Sequence, residues 1–332
     1  MPTTTLAPNR AFTYIGCLGR TANVGPGLSH PQSVARGAND VLYIANRGAE
    51  FNPAARVTKC TLQHEFLQDI GGSGQGAGRF LWPAYVALDS SERVYVSEES
   101  ADKIMVFENE GAFVGEWGSR GSGDGELRDP TGIAFDSDDN LFVVDTRNNR
   151  VQKFSKDGKF LGKFGSAGTA EGQFNLPWGI AMDKEGSVYV ADTNNDRVQK
   201  LSPEGDHLLT FGSSSPGELN RPSDVTVDKD GDVYVADWGN NRIQIYAPDG
   251  GYLATLIGDA TELSPWAKMS VDANIDYIKA RARANLEAEW RFRRPVAITI
   301  GDDYRFVIAE AQHNRLQIYL KDVDYEDPQF NL

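Results

Sequence analysis

The chain has 332 residues, a formal net charge of −14 and only two cysteines. The acidic balance argues against nucleic acid as a partner, because phosphate binding normally requires a basic face. The sequence contains no run of about 18 apolar residues, so we expect no membrane-spanning segment. Its first residues lack the apolar core of a secretory signal, and two cysteines make no disulfide framework, which together predict a cytoplasmic protein.

A repeat of about 47 residues runs along the sequence, and each copy carries a proline at the same position. These anchor prolines are Pro31, Pro83, Pro130, Pro177, Pro222 and Pro295. Each copy supplies four short strands, named a to d, separated by turns rich in Asp, Asn and Gly. Short strands with a period of 40–50 residues are typical of a β-propeller with one blade per repeat. The sequence therefore predicts an all-β fold, a six-bladed β-propeller of four-stranded blades, as one domain over residues 1–332.

The sixth copy lacks a strand d of its own. The segment FTYIGCLGR, residues 12–20, has the pattern of the missing strand. We therefore expect this N-terminal strand to complete blade six and close the ring, which would leave only short, protected sheet edges.

The segments YVADTNNDRVQKL and YVADWGNNRIQIY, in the fourth and fifth copies, resemble the core motif of the NHL-repeat propellers. The resemblance spans nearly the whole chain and implies a propeller, but NHL propellers serve as enzymes, receptors and scaffolds, so the fold alone does not give the function. Among six-bladed relatives, the peptidyl-α-hydroxyglycine lyases are understood to use a zinc held by three histidines. The gluconolactonase-type hydrolases use carboxylates and Asn around a divalent ion.

Residues 259–292 interrupt the repeat between blades five and six. Their composition favours helix, and we expect Asp272 to cap its N-terminus. An apolar stripe is predicted on one face of this helix by Ile275, Ile278, Ala282 and Leu286. We interpret the insertion as a helical lid over the top face, defined as the face with the d-to-a and b-to-c connections. The alternative is an insertion that packs on the rim.

A polar residue ends strand b in every copy, and a basic residue follows five positions later in most of them. The polar residues are Asn46, Glu98, Asp145, Asp192, Asp237 and Glu310. We expect these side chains to accept hydrogen bonds from the neighbouring turn. The same oxygen-rich ring is the alternative site for a divalent metal such as calcium.

Departures from the repeat concentrate in blades six, one and two, and they indicate a catalytic site. The candidate catalytic residues are His30, Arg47, Tyr85, Glu98 and His313. Together they supply a base, an oxyanion stabiliser and an orienting carboxylate. Only two histidines are expected on the top face, so a three-histidine zinc site is disfavoured and no metal ligand is assigned.

The tryptophans gather on the top face or in the insertion, where they would line an apolar pocket or hold the lid. The candidate substrate-binding residues are Gln32, Trp82, Trp178, Trp238, Trp266, Trp290 and Arg294. Basic residues in the insertion favour an anionic ligand.

The resulting hypothesis is a propeller that binds a small, anionic and partly apolar organic molecule under the lid and converts it by lyase or hydrolase chemistry. The alternative is a non-enzymatic scaffold that binds a protein or peptide on the top face. The cofactor is unknown, with calcium or zinc as the metals to consider.

Overall fold

The computed structural model describes residues 3–48 and 54–325. It is a six-bladed β-propeller, as the repeat predicts. The inner strand a of each blade contacts the inner strand of the next blade, and the inner strand of blade six contacts that of blade one. The ring is therefore closed.

Two strands precede the first blade, β1 (Thr4–Ala7) and β2 (Arg10–Leu18). Blade one contains β3 (Pro31–Arg36), β4 (Val41–Asn46), β5 (Arg56–Thr61) and β6 (Phe66–Ile70). Blade two contains β7 (Pro83–Leu88), β8 (Val94–Glu98), β9 (Lys103–Phe107) and β10 (Phe113–Trp117). Blade three contains β11 (Pro130–Phe135), β12 (Asn140–Asp145), β13 (Arg150–Ser155) and β14 (Phe160–Phe164).

Blade four contains β15 (Ile180–Met182), β16 (Val188–Asp192), β17 (Arg197–Leu201) and β18 (His207–Phe211). Blade five contains β19 (Asp224–Val227), β20 (Val233–Asp237), β21 (Arg242–Tyr246) and β22 (Tyr252–Leu256). Blade six contains β23 (Pro295–Ile300), β24 (Arg305–Glu310) and β25 (Arg315–Asp322). Single turns of 3-10 helix occur at Ala38–Asp40, Thr146–Asn148, Thr193–Asn195 and Trp238–Asn240.

The core lies between neighbouring blades. In blades one to five an aromatic residue three positions before the end of strand b is fully buried, namely Tyr43, Tyr95, Phe142, Tyr189 and Tyr234. Tyr43 of blade one, for example, shares a cluster with Val86 and Phe107 of blade two. Burial of such a side chain contributes about 1.5–3 kcal/mol, so the repeated aromatic holds each blade against the next.

The N-terminal strand closes the ring, as predicted. Strand β2 pairs antiparallel with β25, from Ala11 opposite Asp322 to Leu18 opposite Leu316. Strand β1 then pairs with β2 across a two-residue turn, so blade six has five strands instead of four. We did not predict this extra strand, although β-branched threonines followed by a Pro-Asn turn are a recognisable hairpin signal.

A buried ionic cluster fastens blade six to blade five. The ammonium of Lys321 lies 2.6–2.9 Å from carboxylate oxygens of Asp228, Asp230 and Asp232 in the a-to-b turn of blade five. Arg10, at the start of the closing strand, contacts Asp232 through two hydrogen bonds. The carboxylates compensate the burial of Lys321, as a buried charge requires.

The insertion contains three short helices instead of one. They are α1 (Pro265–Asp272), α2 (Ile275–Arg281) and α3 (Glu287–Trp290). No helix in the described ranges is long and apolar enough to cross a membrane. The cap predicted at Asp272 is wrong, because this residue ends α1, whereas Ser264 caps α1 and Asn274 caps α2.

The predicted apolar stripe is not buried. Ile275 is 61% exposed and Ile278 is 41% exposed; Ala282 is also exposed, and Leu286 is half-buried. The stripe assumed one continuous helix, but the chain breaks at Ala273 and Asn274 and again after α2, so the four residues do not share one face.

The insertion lies along the outer edge of blades six and one, so the lid interpretation is wrong and the alternative of packing on the rim is correct. The thiol of Cys17 on β2 donates to the Glu262 carbonyl, and the Ser264 hydroxyl donates to the Gly19 carbonyl. The Trp266 indole donates to the His64 carbonyl of blade one, 2.8 Å away. Trp266 is only 5% exposed and packs among core residues of blades six and one. This anchor, and not a helical stripe, determines where the insertion lies.

Trp266→Ala should therefore weaken the junction between blades six and one. Removing a buried tryptophan typically costs about 3–5 kcal/mol, so we expect the free energy of unfolding to fall by about 3 kcal/mol in chemical denaturation. Met269→Ala in the same helix is the matched control, because Met269 is 70% exposed and exposed positions usually change stability by about 0.5 kcal/mol or less. Equal stability of the two variants would contradict the anchoring role.

Candidate functional site

The polar residue at the end of strand b is committed to its own blade. In blade three, Asp145 accepts hydrogen bonds from the Arg128 amide, the Asn148 side chain and the Arg150 guanidinium, at 2.7–2.9 Å. Arg150 also donates to three carbonyls of the d-to-a connection. Because each buried donor and acceptor is satisfied in this way, the network fixes the top-face loops.

The same network recurs in the other blades, which confirms the structural reading of this position. Asp192 and Asp237 bond their Arg at 2.8 and 2.6 Å. Glu98 accepts from the amides of Leu81 and Trp82, and Asn46 accepts from the Ser29 amide. Within residues 3–48 and 54–325, no group of three or more His, Cys, Asp or Glu side chains is arranged to hold a metal ion.

A second repeated contact joins each blade to the next. At five of the six junctions, a residue in the left-handed conformation after the b-to-c turn accepts a hydrogen bond from the amide of the residue that precedes the next anchor proline. The amide donors are His30, Asp129, Leu176, Arg221 and Arg294. These donors have φ values of 48–54°, a conformation that costs a non-glycine residue about 1–2 kcal/mol. At these five junctions the contact therefore holds the residue before the anchor proline in place on the top face.

A cavity of about 220 Å³ opens at the centre of the top face, between blades four, five, six and one. We call it the central cavity. Its lining residues are Gln32, Arg47, Trp178, Thr193, Arg221, Ser223, Trp238 and Val296. Gln32, Arg47, Trp178 and Trp238 were in the predicted set. No residue of the insertion lines it, and its sector differs from the predicted sector of blades six, one and two.

Arginine and tryptophan dominate the mouth of the central cavity. The guanidinium carbons of Arg221 and Arg294 lie 5.3 and 5.0 Å from the ring centre of Trp238. Neither arginine has a carboxylate within 4 Å among the described residues, whereas Arg147 of blade three is paired with Asp129 at 2.5 Å. Such cation–π contacts orient a guanidinium without neutralising it, so two positive charges remain available beside the cavity.

Arg47 is held differently on the opposite wall. Its guanidinium lies 4.8 Å from the ring centre of Trp82 and forms a 2.5 Å ion pair with Glu99. Residues 49–53 of the loop that follows Arg47 lie outside the described residues. The charge of Arg47 is therefore balanced, in contrast to Arg221 and Arg294.

Tyr85 fills the channel on the propeller axis. Its hydroxyl donates to Asp224 Oδ1 at 2.8 Å, and these residues belong to blades two and five, which face each other across the ring. The sister positions in blades three and four are Gly132 and Gly179, and an added Cβ at Gly179 would collide with Asp224. Tyr85 is buried and does not line the central cavity, so this candidate closes the channel below the cavity.

Burial raises the pKa of Asp224 to about 7, although the Ile298 amide and the Tyr85 hydroxyl donate hydrogen bonds to its carboxylate. Desolvation has this effect because it penalises the ionised form. A carboxyl that titrates near neutrality therefore lies on the axis, next to the cavity-lining Ser223.

The two candidate histidines do not meet at the central cavity. The His30 amide is bonded to Asn314 Oδ1 at 2.6 Å, and its carbonyl accepts from Gln32. His313 Nδ1 lies 2.9 Å from Glu310 Oε2, the contact that Asn240 makes to Asp237 in blade five. His313 instead lines a separate cavity beside the insertion. The predicted base is thus not assembled with Tyr85 and Glu98.

Two candidate tryptophans also lie away from the centre. Trp266 anchors the insertion, as described above. The Trp290 carbonyl accepts from the Ala260 amide and the Gln317 side chain at the base of the insertion. Both residues lie at the rim because they belong to the insertion. Their assignment as cavity walls depended on the lid interpretation.

Sequence reasoning missed Thr193, Arg221, Ser223, Asp224 and Val296. For Arg221 a signal existed, because it directly precedes the anchor Pro222 as Arg294 precedes Pro295. Asp224 carried no signal, because its importance comes from an opposite blade that the repeat does not identify.

The NHL repeat model matches residues 127–154, 174–201 and 219–246. The chain thus contains NHL repeats in blades three, four and five. No curated protein matches the sequence.

Solved propellers share the fold at low sequence identity. Virginiamycin B lyase from Staphylococcus aureus aligns over 93% of this chain and 99% of its own, with 13% identity and a TM-score of 0.58. A gluconolactonase from Xanthomonas campestris aligns over 97% and 95%, with 13% identity and a TM-score of 0.62. A chain of a nidogen/laminin complex aligns over 76% and 92%, with 18% identity and a TM-score of 0.55. These likenesses support the propeller fold of the chain.

The axial carboxyl predicts a specific pH dependence of stability. The folded-state pKa of Asp224, about 7, exceeds the value near 3.9 expected for an unfolded chain. The neutral acid therefore favours the fold; this stabilisation is complete below about pH 4 and is lost as the pH rises through 7.

Asp224→Asn should remove this contribution. We expect the free energy of unfolding to fall less between pH 5 and pH 8 in the variant than in the unmodified protein, measured by urea denaturation at each pH. The exposed Asp138→Asn serves as control and should keep the original slope. An unchanged slope in Asp224→Asn would show that this carboxyl does not titrate in that range.

Proposed function

We propose that the central cavity binds a small organic anion with a flat apolar part. The observation that carries this proposal is the pair Arg221 and Arg294 over Trp238 at the cavity mouth, neither of which has a carboxylate within 4 Å among the residues that the structure describes. Charge-assisted hydrogen bonds from arginine to a carboxylate or phosphate are about twice as strong as neutral ones. In a protein of net charge −14, two such arginines make the central cavity a local exception that attracts anions.

The apolar part of the ligand would contact the indole rings of Trp178 and Trp238. Gln32, Thr193 and Ser223 add neutral hydrogen-bonding groups to the same lining. A volume of about 220 Å³ suits a ligand of the size of a substituted benzene ring. Pockets of this type, mainly apolar with a few polar groups, are typical of small-molecule sites.

Conversion of the ligand by lyase or hydrolase chemistry stays a prediction. The eight lining residues include no histidine, cysteine or carboxylate. The nearest candidate for proton transfer is Asp224, which follows the lining residue Ser223 and titrates near neutrality. A catalytic role of this carboxyl would require the ligand to reach the axis. Two free, buried cysteines, Cys17 and Cys60, support a cytoplasmic location as part of the proposal.

The scaffold alternative is favoured by one observation. Trp82 is 48% exposed at the top of blade two, outside the central cavity, where an extended peptide could contact it. Trp82→Ala would weaken binding of such a peptide more than binding of a small ligand within the cavity, because Arg47 on the cavity wall loses its contact with Trp82 but keeps its ion pair with Glu99. The relative size of the two losses distinguishes the two functions.

Benzoate and its neutral analogue benzamide test the proposal on the full chain. We expect Arg221→Gln and Arg294→Gln each to weaken benzoate binding about tenfold, since a hydrogen bond to a charged group contributes about 1.5–3 kcal/mol, and to leave benzamide binding unchanged. Indole NMR signals of Trp178 and Trp238 provide the measurement.

The matched control is Arg147→Gln, at the top of blade three, where the arginine is already paired with Asp129. This variant should bind benzoate like the unmodified protein. Equal losses for benzoate and benzamide, or no loss in either cavity variant, would refute anion recognition by these arginines.

A further inference from the structure

A second cavity, here called the lateral cavity, lies between the insertion and the top of blade six. Its volume is about 470 Å³, and its walls come from the loop after β2, from the insertion and from β25 with its preceding turn. None of its lining residues lines the central cavity. Two departures from the repeat meet here, because the insertion faces His313, the residue that replaces the asparagine of blades three to five.

One ring nitrogen of His313 is hydrogen-bonded, and the other has no partner among the described residues. Its Nδ1 lies 2.9 Å from Glu310 Oε2. Burial alone would raise the pKa of Glu310, but the hydrogen bond from His313 and the charge of Arg315 outweigh it and lower the pKa. The ionised carboxylate therefore accepts the Nδ1 proton, and in the neutral form of the ring Nε2 is an acceptor.

Comparison with the sister blades explains why Nε2 lacks a hydrogen-bond partner in the described part of the chain. Asn148 and Asn195 donate both to their own strand-b carboxylate and to a carbonyl of the d-to-a connection, Gly121 or Gly168, at 2.8 Å. In blade six the insertion replaces that connection. Nε2 of His313 has no hydrogen-bond partner among the described residues, and His313 forms part of the wall of the lateral cavity.

Arg20 supplies a positive charge to the lateral cavity. Its guanidinium donates to the Pro26 carbonyl at 2.7 Å and to the Ser270 hydroxyl at 2.8 Å, and no carboxylate lies within 4 Å in the part of the chain that the structure describes. The other charged pairs at the cavity are internally neutralised: Arg315 bonds Glu310 at 2.6 Å, and Glu289 bonds Arg281 at 2.7 Å. Counting only partners within residues 3–48 and 54–325, the lateral cavity therefore offers one unpaired cation and one unpaired acceptor nitrogen.

The other lining residues of the lateral cavity indicate the remaining features of a matching ligand. Leu263, Ala267 and Val271 provide an apolar surface, and the exposed Glu262 adds a carboxylate at the rim. A matching molecule has a carboxylate for Arg20, a hydroxyl or ammonium donor for His313 and Glu262, and an apolar side chain.

We propose that the lateral cavity is a second binding site, independent of the central one, for an α-hydroxy or α-amino acid with an apolar side chain. Three probes of nearly equal shape test this: 3-phenyllactate, phenylalanine and 3-phenylpropionate, which carry a hydroxyl, an ammonium and no donor. Each is titrated against the full chain by calorimetry, and the imidazole nitrogen signals of His313 are followed by NMR.

The first or second probe should bind at least about fivefold more tightly than 3-phenylpropionate, because a hydrogen bond is worth about 1 kcal/mol or more, and it should shift the His313 signals. Whichever of the two binds more tightly identifies the donor as hydroxyl or ammonium. Equal affinity for all three probes, or unshifted His313 signals at saturation, would overturn the proposal.

His313→Asn restores the residue of the sister blades, so it should keep the bond to Glu310 and the melting temperature. It should also reduce the preference for probes with a donor to the part that Glu262 supplies, and an unchanged preference would overturn the role of Nε2. Arg20→Gln should weaken all three probes about tenfold through loss of the charge-assisted contact. The control Arg221→Gln alters only the central cavity, so a loss of probe affinity in that variant would place the probes there and refute the second site.

Discussion

The pairing of β2 with β25 is the contact on which the rest of the structure depends. It joins residues 10–18 to residues 315–322, near the two ends of the chain, and it converts a row of six blades into a ring. Only in a closed ring do blades two and five face each other, which places Tyr85 against Asp224. The buried ammonium of Lys321 and the anchor Trp266 reinforce the same blade from its two sides. One blade thus contains the closure, the ionic cluster and the insertion.

The repeat separates positions that build the propeller from positions that can vary. Asp145 and its counterparts are bonded within their blades, and substitution there would release several buried donors at once. The residue before each anchor proline is different, because only its backbone amide is used in the junction. Its side chain is free to be histidine, aspartate, leucine or arginine. Arg221 and Arg294 therefore place positive charge beside the central cavity on the same backbone conformation as in the sister blades, without disturbing the fold.

Much of the fold could be predicted because the signal is repeated six times. Each anchor proline, each strand-b acidic residue and each following arginine supports the others, and the missing strand of blade six identifies β2 as its replacement. The insertion occurs once, so no internal comparison was possible. Its spacing indicated helix, which is correct, but amphipathic spacing does not specify the surface that a helix packs on. The bulky Trp266 and the hydroxyl of Ser264 decided that, through contacts to distant strands.

The candidate site was predicted in part for the same reason. Arg47 was found because it departs from the repeat, and Trp178 and Trp238 were found because the tryptophans gather on the top face. Gln32 directly follows an anchor proline. His313 also departs, yet its Nδ1 bond copies that of its sister asparagines, so its departure concerns only the second ring nitrogen. Asp224 was missed because its partner comes from across the axis, a relation set by ring geometry that spacing along the chain does not reveal.

The closing strand has a consequence for biosynthesis. Strand β2 is translated before any blade, but its partner β25 leaves the ribosome about 300 residues later. At typical elongation rates of about 5–20 residues per second, its hydrogen-bonding edge must wait tens of seconds for the correct neighbour. Strand β1 folds back on the opposite edge of β2 through a two-residue turn and can form at once, so one of the two edges of the waiting strand is covered from the start.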